Sequence, residues 1–269
     1  MRVIMAGCGN MGFAMLKAWI AGGVLAPGDC TVVEPAEALR ARAAAQGVTA
    51  VAEAVALPDD LRADVVVLAV KPQVMGDAAP AYRRFAEAGA TIVSIAAGTR
   101  VATLQSLVGE DAAIVRCMPN TPAAIGQGMM VTFANGRVAP SAMDAVNMLL
   151  AQNGAVTSIP SEDLMDAVTA VSGSGPAYVF HFIEALTAAG EKAGLPAETA
   201  DLLARQTVLG AAKLAFESGE APGTLREQVT SPNGTTAAAL AVLMGDNRLK
   251  TLVEEAVEAA RARSVELGA

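Results

Sequence analysis

The stretch "VIMAGCGNMGFAM", Val3 to Met15, decides the fold of the first half of the chain. An aliphatic run typical of a buried strand leads into Gly7, Gly9 and Gly12 in G-x-G-x-x-G spacing, and a helical pattern follows. In such a loop Gly7 permits the tight turn, Gly9 lets the backbone approach a pyrophosphate, and Gly12 allows close helix packing. The stretch therefore predicts a dinucleotide-binding unit, with a glycine-rich turn that serves packing alone as the alternative.

An acidic residue, Glu34, ends the second predicted strand, 22 residues after Gly12. A carboxylate here accepts hydrogen bonds from the ribose hydroxyls of NAD and repels the 2′-phosphate of NADP. This favours NADH, although Arg40 and Arg42 on the following helix can compensate a 2′-phosphate if they do not simply face solvent. The predicted cofactor is NADPH or NADH, and the preference between them stays open.

The residues beyond this loop extend the pattern to a whole domain. Strand-like runs alternate with alanine-rich helical segments and lie at residues 2–6, 31–33, 64–70, 91–95, 113–118, 129–133 and 155–159. Near-continuous apolar runs are typical of strands buried on both faces of a parallel sheet. We predict an α/β fold that begins with a Rossmann-type doubly wound domain over residues 1–158.

After residue 159 the strand signal disappears. Helices are predicted near residues 162–171, 177–193, 197–217, 224–229, 235–244 and 247–266. Glycine and proline mark the breaks, because glycine frees the backbone and proline removes a hydrogen-bond donor. Residues 159–269 are therefore predicted to form a separate all-α domain.

Composition narrows the class of protein. The 269 residues are 53 % hydrophobic and carry a net charge of −8, which indicates a soluble globular protein and argues against nucleic-acid or anionic-membrane partners. No targeting signal or membrane span is recognisable. Cys8, Cys30 and Cys117 are too few and too scattered for a disulfide framework or a metal site, so no metal and a cytoplasmic location are predicted.

Two further loops follow predicted strands, at the sheet edge where ligands bind in open α/β folds. They are "AVKPQ", Ala69 to Gln73, and "RCMPNTPA", Arg116 to Ala123, and their prolines hold them rigid. Lys71 either contacts a phosphate or ribose of the cofactor or is solvated.

The usual catalytic acids are scarce. The one histidine, His181, falls inside the apolar helix "AYVFHFIEAL", where we expect a packed or hydrogen-bonded role, and no lysine occupies an obvious catalytic turn of the helical domain. Hydride transfer to a ketone usually needs such an acid, whereas an imine can arrive already protonated. The sequence therefore favours an imine substrate.

A second polar cluster opens the stretch "TSPNGTTAAALAVL", Thr230 to Leu243. Turn-forming residues before an apolar run predict a helix start, whose first backbone N–H groups lack partners. A hydroxyl of Thr235 or Thr236 can cap them, or they can bind an anion. The residues alone leave both interpretations open.

Taken together, "GCGNMG", "AVKPQ", "RCMPNTPA", "VSGSGPAY", "LLARQTVLGAAKL" and "LREQVTSPNGTTAAALAVL" resemble the pyrroline-5-carboxylate reductases, which reduce a cyclic imino acid to proline. The likeness covers nearly the whole chain, and the last segment is highly specific. It implies a helical dimerisation domain whose helices interleave with those of a second subunit, and an active site between one subunit's cofactor and the other's helical domain. A homodimer follows, with higher oligomers built from dimers left open.

The resemblance also implies site residues. Ser231, Thr235 and Thr236 match the positions that hold the substrate carboxylate, and Thr169 matches a threonine near the substrate nitrogen, the predicted catalytic residue. The implied cofactor-binding residues are Gly7, Gly9, Asn10, Met11, Gly12, Glu34, Ala69, Val70, Lys71, Pro72 and Asn120.

The sequence departs from the family pattern at one place, and two alternative functions stay open. The family commonly uses NADPH and often has small polar or basic residues after the second strand, where "VVEPAE" offers Glu34 and Glu37. A β-hydroxy-acid dehydrogenase also pairs a Rossmann domain with a helical one, but expects a lysine acid in the helical domain. A catalytically silent NAD-binding protein is the other alternative.

Overall fold

The computed structural model describes residues 1–268, which divide into two compact units. The first comprises Met1–Ser174 with the chain from Ala260 on, and the second comprises Gly175–Ala259. The predicted boundary at residue 158 coincides with the end of the last strand. The first unit nevertheless continues to Ser174, because hydrogen bonds to Asn120 and to the last helix tie residues 159–174 to it.

The first unit contains the strands and the helices α1 to α7. The strands are β1 Val3–Ala6, β2 Cys30–Val33, β3 Thr49–Val51, β4 Val65–Leu68, β5 Thr91–Ser94, β6 Ile114–Met118, β7 Gly128–Ala134 and β8 Gly154–Ser158. The helices are α1 Asn10–Ala21, α2 Glu37–Ala44, α3 Met75–Ala78, α4 Arg83–Glu87, α5 Val101–Val108, α6 Pro140–Leu150 and α7 Met165–Val168. A π-helical turn, Thr169–Gly173, follows α7.

The strands form one sheet in the order β3-β2-β1-β4-β5-β6-β7-β8. Parallel pairing runs from β3 through β6, so the loops after β1, β2, β4, β5 and β6 share the carboxyl edge. The predicted parallel sheet has one exception, because β7 pairs antiparallel with β6, with Arg116 opposite Phe133. The short strand β3 was not predicted from the sequence.

Apolar side chains cover both faces of this sheet. Val3 and Met5 belong to one core cluster with α1, while Ile4 and Ala6, which alternate with them in sequence, belong to the other. This alternation follows from the two-residue period of a strand and gives the buried runs predicted for a doubly wound domain. Trp19 is fully buried in the first cluster, where its indole N–H donates to the carbonyl oxygen of Leu149.

The second unit is helical. Its helices are α8 Gly175–Lys192, α9 Ala197–Glu217, α10 Pro222–Gln228, α11 Thr235–Met244 and the first part of α12 Arg248–Gly268. Helix α8 packs on α9, with Gly190 against Ala200.

Large hydrophobic side chains on this unit remain exposed, among them Phe180, Phe182, Leu202, Leu209 and Phe216, the last at 85 %. Many exposed apolar side chains on one helical unit are typical of a protein interface. None of the helices in residues 1–268 combines the length and apolar character that a membrane crossing requires.

Candidate active site

The glycine loop between β1 and α1 depends on glycine at its first position. Gly7 has a φ of 86°, in the left-handed region, and its N–H donates to the carbonyl oxygen of Val33 at 2.8 Å. A Cβ at this position would lie 2.8 Å from the carbonyl oxygen of Ala69, too close for any side chain. The turn therefore requires glycine both for its conformation and for its contact with the neighbouring strand end.

The other two glycines serve different purposes. A Cβ on Gly12 would lie 2.7 Å from the carbonyl oxygen of Gly7, so α1 packs directly on the loop backbone. A Cβ on Gly9 would meet no atom within 4 Å, so packing within the chain does not explain this glycine. Close approach of a ligand is the role that a loop of this type gives to its second glycine.

Backbone donors of α1 point out of this loop. Gly9 is the N-cap and makes no side-chain cap, and the first intrahelical bond is from Phe13 N–H to Gly9. The N–H groups of Asn10 and Met11 therefore precede the hydrogen-bonded part of the helix. Such a helix start fits the pyrophosphate of a dinucleotide.

Two charged side chains hold the loop from opposite sides of Cys8. Glu34 is 7 % exposed, and its carboxylate accepts from the N–H of Cys8 at 2.7 Å and from that of Ala36 at 2.9 Å. Arg42 donates to the carbonyl oxygens of Cys8 and Gly9 at 3.0 and 3.2 Å. The sequence suggested a ribose contact for Glu34 and a solvent-facing or phosphate-binding role for Arg42, but gave no indication of this clamp.

An apolar cavity of about 330 Å³ adjoins the loop. Its walls include Gly7, Val33, Pro35, Val70 and Tyr82, which come from the ends of β1, β2 and β4 and the helical segment after β4. Its position and apolar walls fit a flat heterocycle such as adenine. Lys71 is exposed after β4, and Pro72 begins the next turn.

Thr169 lies where α7 passes into the π-helical turn. Its hydroxyl donates to the carbonyl oxygen of Met165 at 2.9 Å, and its own carbonyl accepts from Ser174 N–H at 2.8 Å. Asn120, after β6, donates to the carbonyl oxygen of Ser172 at 3.1 Å and accepts from Met129 N–H at 2.8 Å. Both ends of the Asn120 carboxamide are thus used within the chain, and the structure brings this predicted cofactor residue to the Thr169 segment.

The substrate residues predicted in the second unit surround the start of α11. Gly234 is the N-cap, its N–H donates to the carbonyl oxygen of Ser231 at 3.0 Å, and no side chain caps the helix. Thr235 and Thr236 occupy the first two helical positions, so the possibility that either hydroxyl caps this helix is not realised. Asn233 adopts a φ of 58°, which turns the chain into the helix.

The residues considered as general acids in the helical part lie on exposed helix faces. His181 is exposed on α8 and lies 3.1 Å from the carboxylate of Glu184, which agrees with a hydrogen-bonded role but not with a packed one. Lys213 and Lys250 pair with Glu217 and Glu254 on exposed helix faces. This placement gives no support to the lysine acid that a β-hydroxy-acid dehydrogenase expects.

The cysteines and the acidic residues form no reactive or metal-binding cluster in the described chain. Cys8, Cys30 and Cys117 are free and buried, and burial raises the pKa of Cys8 to about 11. Over residues 1–268 no three His, Cys, Asp or Glu side chains come together in a way that could hold a metal ion.

Comparison with protein families gives two matches. The family described as pyrroline-5-carboxylate reductase dimerisation matches residues 162–267. The family described as NADP oxidoreductase, coenzyme F420-dependent, matches residues 2–98. Together the two matches cover both the nucleotide-binding and the helical parts of the chain.

Individual relatives agree over the full length. The chain is 43 % identical to a pyrroline-5-carboxylate reductase of Pseudomonas aeruginosa, covering 99 % of this chain and 96 % of that protein. The solved structure of a pyrroline-5-carboxylate reductase from Coxiella burnetii has a TM-score of 0.93 at 36 % identity, covering 100 % and 98 % of the two chains. That of the Plasmodium falciparum pyrroline carboxylate reductase with NADP bound has a TM-score of 0.85 at 30 % identity, with the same coverage.

Proposed function

The chain belongs to the family of pyrroline-5-carboxylate reductases, and we propose how its own residues serve that reaction. As a member it reduces 1-pyrroline-5-carboxylate to L-proline with NAD(P)H, the last step of proline biosynthesis. When bound, the cofactor supplies the hydride that adds to the carbon of the ring C=N bond.

The glycine loop binds the cofactor pyrophosphate through backbone N–H groups. Gly9 leaves the open space and Gly7 the tight turn that such an approach requires. Asn10 and Met11 open the helix that faces the negative charge. Ala69, Val70, Lys71 and Pro72, which follow β4, complete the proposed nucleotide site beside the apolar cavity.

Thr169 accepts a hydrogen bond from the substrate nitrogen. The observation that carries this proposal is the hydrogen bond from Thr169 Oγ1 to Met165, which uses the hydroxyl proton inside the chain. The oxygen lone pairs are left to accept from the N–H of a protonated imine, and afterwards from that of the product amine. An acceptor suits a substrate that arrives protonated, so Thr169 orients the ring and no separate acid is required.

The start of α11 binds the substrate carboxylate. Its first N–H groups, those of Thr235 and Thr236, have no side-chain cap, and the helix dipole favours an anion there. The hydroxyls of Ser231 and Thr236 add donors. This assigns binding of the carboxylate to α11 and orientation of the ring nitrogen to Thr169.

Assembly and location complete the proposal. The dimerisation-family match and the exposed apolar side chains of α8 and α9 support a homodimer, and we propose that dimers build a higher oligomer. Three buried free thiols support a reducing, cytoplasmic location. Residues 159–269 are proposed to act as one functional domain.

A spectrophotometric assay tests the proposal. Oxidation of NADPH and NADH should depend on 1-pyrroline-5-carboxylate, and reduction of NAD(P)⁺ with β-hydroxy acids should not occur. Replacing Thr169 by valine should lower kcat roughly tenfold to hundredfold, as expected for loss of a hydrogen bond to a charged group, while Thr169→Ser should retain most activity. Turnover of a hydroxy acid, or an unchanged kcat in Thr169→Val, would contradict the assignment.

A further inference from the structure

The end of the last helix, α12, contributes a buried polar residue to the first unit. Ser264, near the end of α12, is 5 % exposed and lies in the part of this helix that belongs to the first unit. Its hydroxyl donates to Asp166 Oδ1 at 2.6 Å. A short hydrogen bond from a buried hydroxyl to a carboxylate is among the stronger contacts a serine makes.

Asp166 lies in the segment that carries Thr169. Helix α7 has only four residues, Met165–Val168, and Thr169 follows it directly. The carbonyl that accepts from the Thr169 hydroxyl is that of Met165, the residue next to Asp166. A helix this short gains little rigidity from its own hydrogen bonds, so its position depends on contacts with other elements.

The end of α12 is itself held against the first unit. Gly98, in the loop after β5, has a φ of 74°, and a Cβ there would lie 3.2 Å from the carbonyl oxygen of Leu267. Leu267 and Ser264 are three residues apart, on one face of the helix. The end of α12 is therefore held by the loop at Gly98 as well as by Asp166.

We infer that Ser264 is a positioning residue for Thr169, acting through its hydrogen bond to Asp166. The inference rests on the proposed role of Thr169. Ser264 holds α7 by Asp166 on one side, while Asn120 holds the π-helical turn by Ser172 on the other. Between these two attachments the Thr169 hydroxyl keeps its direction toward the substrate nitrogen.

The test compares Ser264→Ala with Arg263→Gln. Arg263 is the preceding residue of the same helix and makes an exposed ion pair with Glu266, so its replacement controls for general effects on α12. Ser264→Ala should lower kcat about fivefold to fiftyfold, because small displacements of a catalytic group have effects of up to ~100-fold. The KM for NADPH should stay within about twofold, because the glycine loop is not part of this contact, and Arg263→Gln should match the wild type.

The decisive measurement places Ser264→Ala in a Thr169→Val background. If Ser264 acts through Thr169, it should lower kcat in the wild-type background and have little further effect once the hydroxyl is gone. An equal loss in both backgrounds, or no loss in the wild type, would overturn the inference and leave the role of Thr169 intact. A Thr169→Val enzyme with normal kcat would instead overturn that role and the inference with it.

A second pair of variants distinguishes a displaced Thr169 from a general loss of folding. Asp166→Ala removes the acceptor, whereas Asp166→Asn keeps an oxygen that can accept from Ser264. A larger loss of kcat in Asp166→Ala than in Asp166→Asn, with melting temperatures measured for both, supports the inference. Losses of kcat that only follow the melting temperature across all these variants would contradict it.

Discussion

Glu34 and Cys8 are joined by a 2.7 Å hydrogen bond from the Cys8 N–H to the Glu34 carboxylate, 26 residues apart in sequence. Arg42 donates to the carbonyl oxygen of the same Cys8. The glycine loop is therefore held by a negative and a positive side chain on the two sides of one residue. The Glu34 charge that was expected to select the cofactor also shapes the loop that is proposed to bind it.

Replacing Glu34 by serine should shift the preference toward NADPH. Removing the carboxylate removes its repulsion of a 2′-phosphate, and we expect the ratio of kcat/KM for NADPH to that for NADH to rise about tenfold, or ~1.4 kcal/mol. The KM for both cofactors should also rise, because Cys8 loses its acceptor. The matched control is Glu37→Ser, because Glu37 is exposed on the neighbouring helix α2. This substitution should change neither the ratio of kcat/KM values nor the KM for either cofactor. A wild type that strongly prefers NADPH, with the ratio unchanged in Glu34→Ser, would show that Glu34 does not face the ribose.

Replacing Thr236 by alanine should weaken substrate binding without destabilising the fold. Backbone donors survive the change, so loss of one hydrogen bond to the carboxylate should lower kcat/KM for the imino acid roughly tenfold to hundredfold. The melting temperature should hold, because Gly234 and not Thr236 is the N-cap. A cyclic imine without the carboxylate should show a much smaller effect.

The control for this prediction is Thr230→Ala. The Thr230 hydroxyl donates to the carbonyl oxygen of Arg226 at 2.6 Å, so this substitution should affect stability rather than carboxylate recognition. If Thr236→Ala lowers the melting temperature and slows both substrates equally, the stretch is structural and the carboxylate binds elsewhere.

Replacing Glu162 by alanine should destabilise the first unit. Glu162 Oε1 accepts from the Arg116 guanidinium at 2.6 Å and from Val101 N–H at 2.8 Å, and the Arg116 side chain is only 6 % exposed. Leaving that cation buried without a partner should cost about 3 kcal/mol in the free energy of unfolding, measured by urea titration at fixed protein concentration. Asp163→Ala breaks the neighbouring exposed pair with Arg100 and should cost less than about 1 kcal/mol. Equal losses in the two variants would argue against a special contribution from the buried pair.

The free energy of unfolding should fall as the pH rises above 9. Burial raises the pKa of Cys8 to about 11 and those of Cys30 and Cys117 to about 12, from 9.0. Above pH 9 the unfolded chain loses thiol protons that the native chain keeps, so each thiol contributes up to about 1.4 kcal/mol per pH unit, and below pH 9 this contribution is constant. Cys30→Ala should flatten the dependence between pH 9 and 11 relative to the wild type. An identical slope in the two proteins would contradict the assignment to buried thiols.

Local patterns were enough to predict much of this molecule. The run from Val3, the three glycines and the helix from Asn10 are all encoded within one short stretch, and the strands with long aliphatic runs were predicted within a few residues. The start of α11 could be predicted equally well, because proline, asparagine and glycine precede an apolar run.

The errors in the sheet have physical causes. Strand β3 has three partly exposed residues and no apolar run that distinguishes it from a loop. The direction of β7 cannot be read from its composition, but its distance from β6 does carry a signal. Only residues 119–127 connect them, fewer than a parallel crossover needs, and an antiparallel return is the geometry that so short a connection allows.

The contacts of the site were not predictable, because they join distant residues. Nothing in the helix of Arg42 indicates that its guanidinium reaches the carbonyls of Cys8 and Gly9. A helix was predicted near residues 162–171, but nothing in its spacing indicates that its end, Thr169–Gly173, forms a π-helical turn. Local spacing predicts which residues bind ligands, whereas the residues that position them are recognised only when the fold is known.

The hydrogen bond between Ser264 and Asp166 can form only late in the synthesis of the chain. These two residues are 98 positions apart, so a ribosome adding about 5 to 20 residues per second needs roughly 5 to 20 s to reach the second after the first. Over that interval the sheet and the glycine loop can form, whereas α7 still lacks its hydrogen bond to Ser264. A nascent chain therefore completes its glycine loop before the segment that carries Thr169 gains its contact with Ser264, which forms only after α12 has emerged.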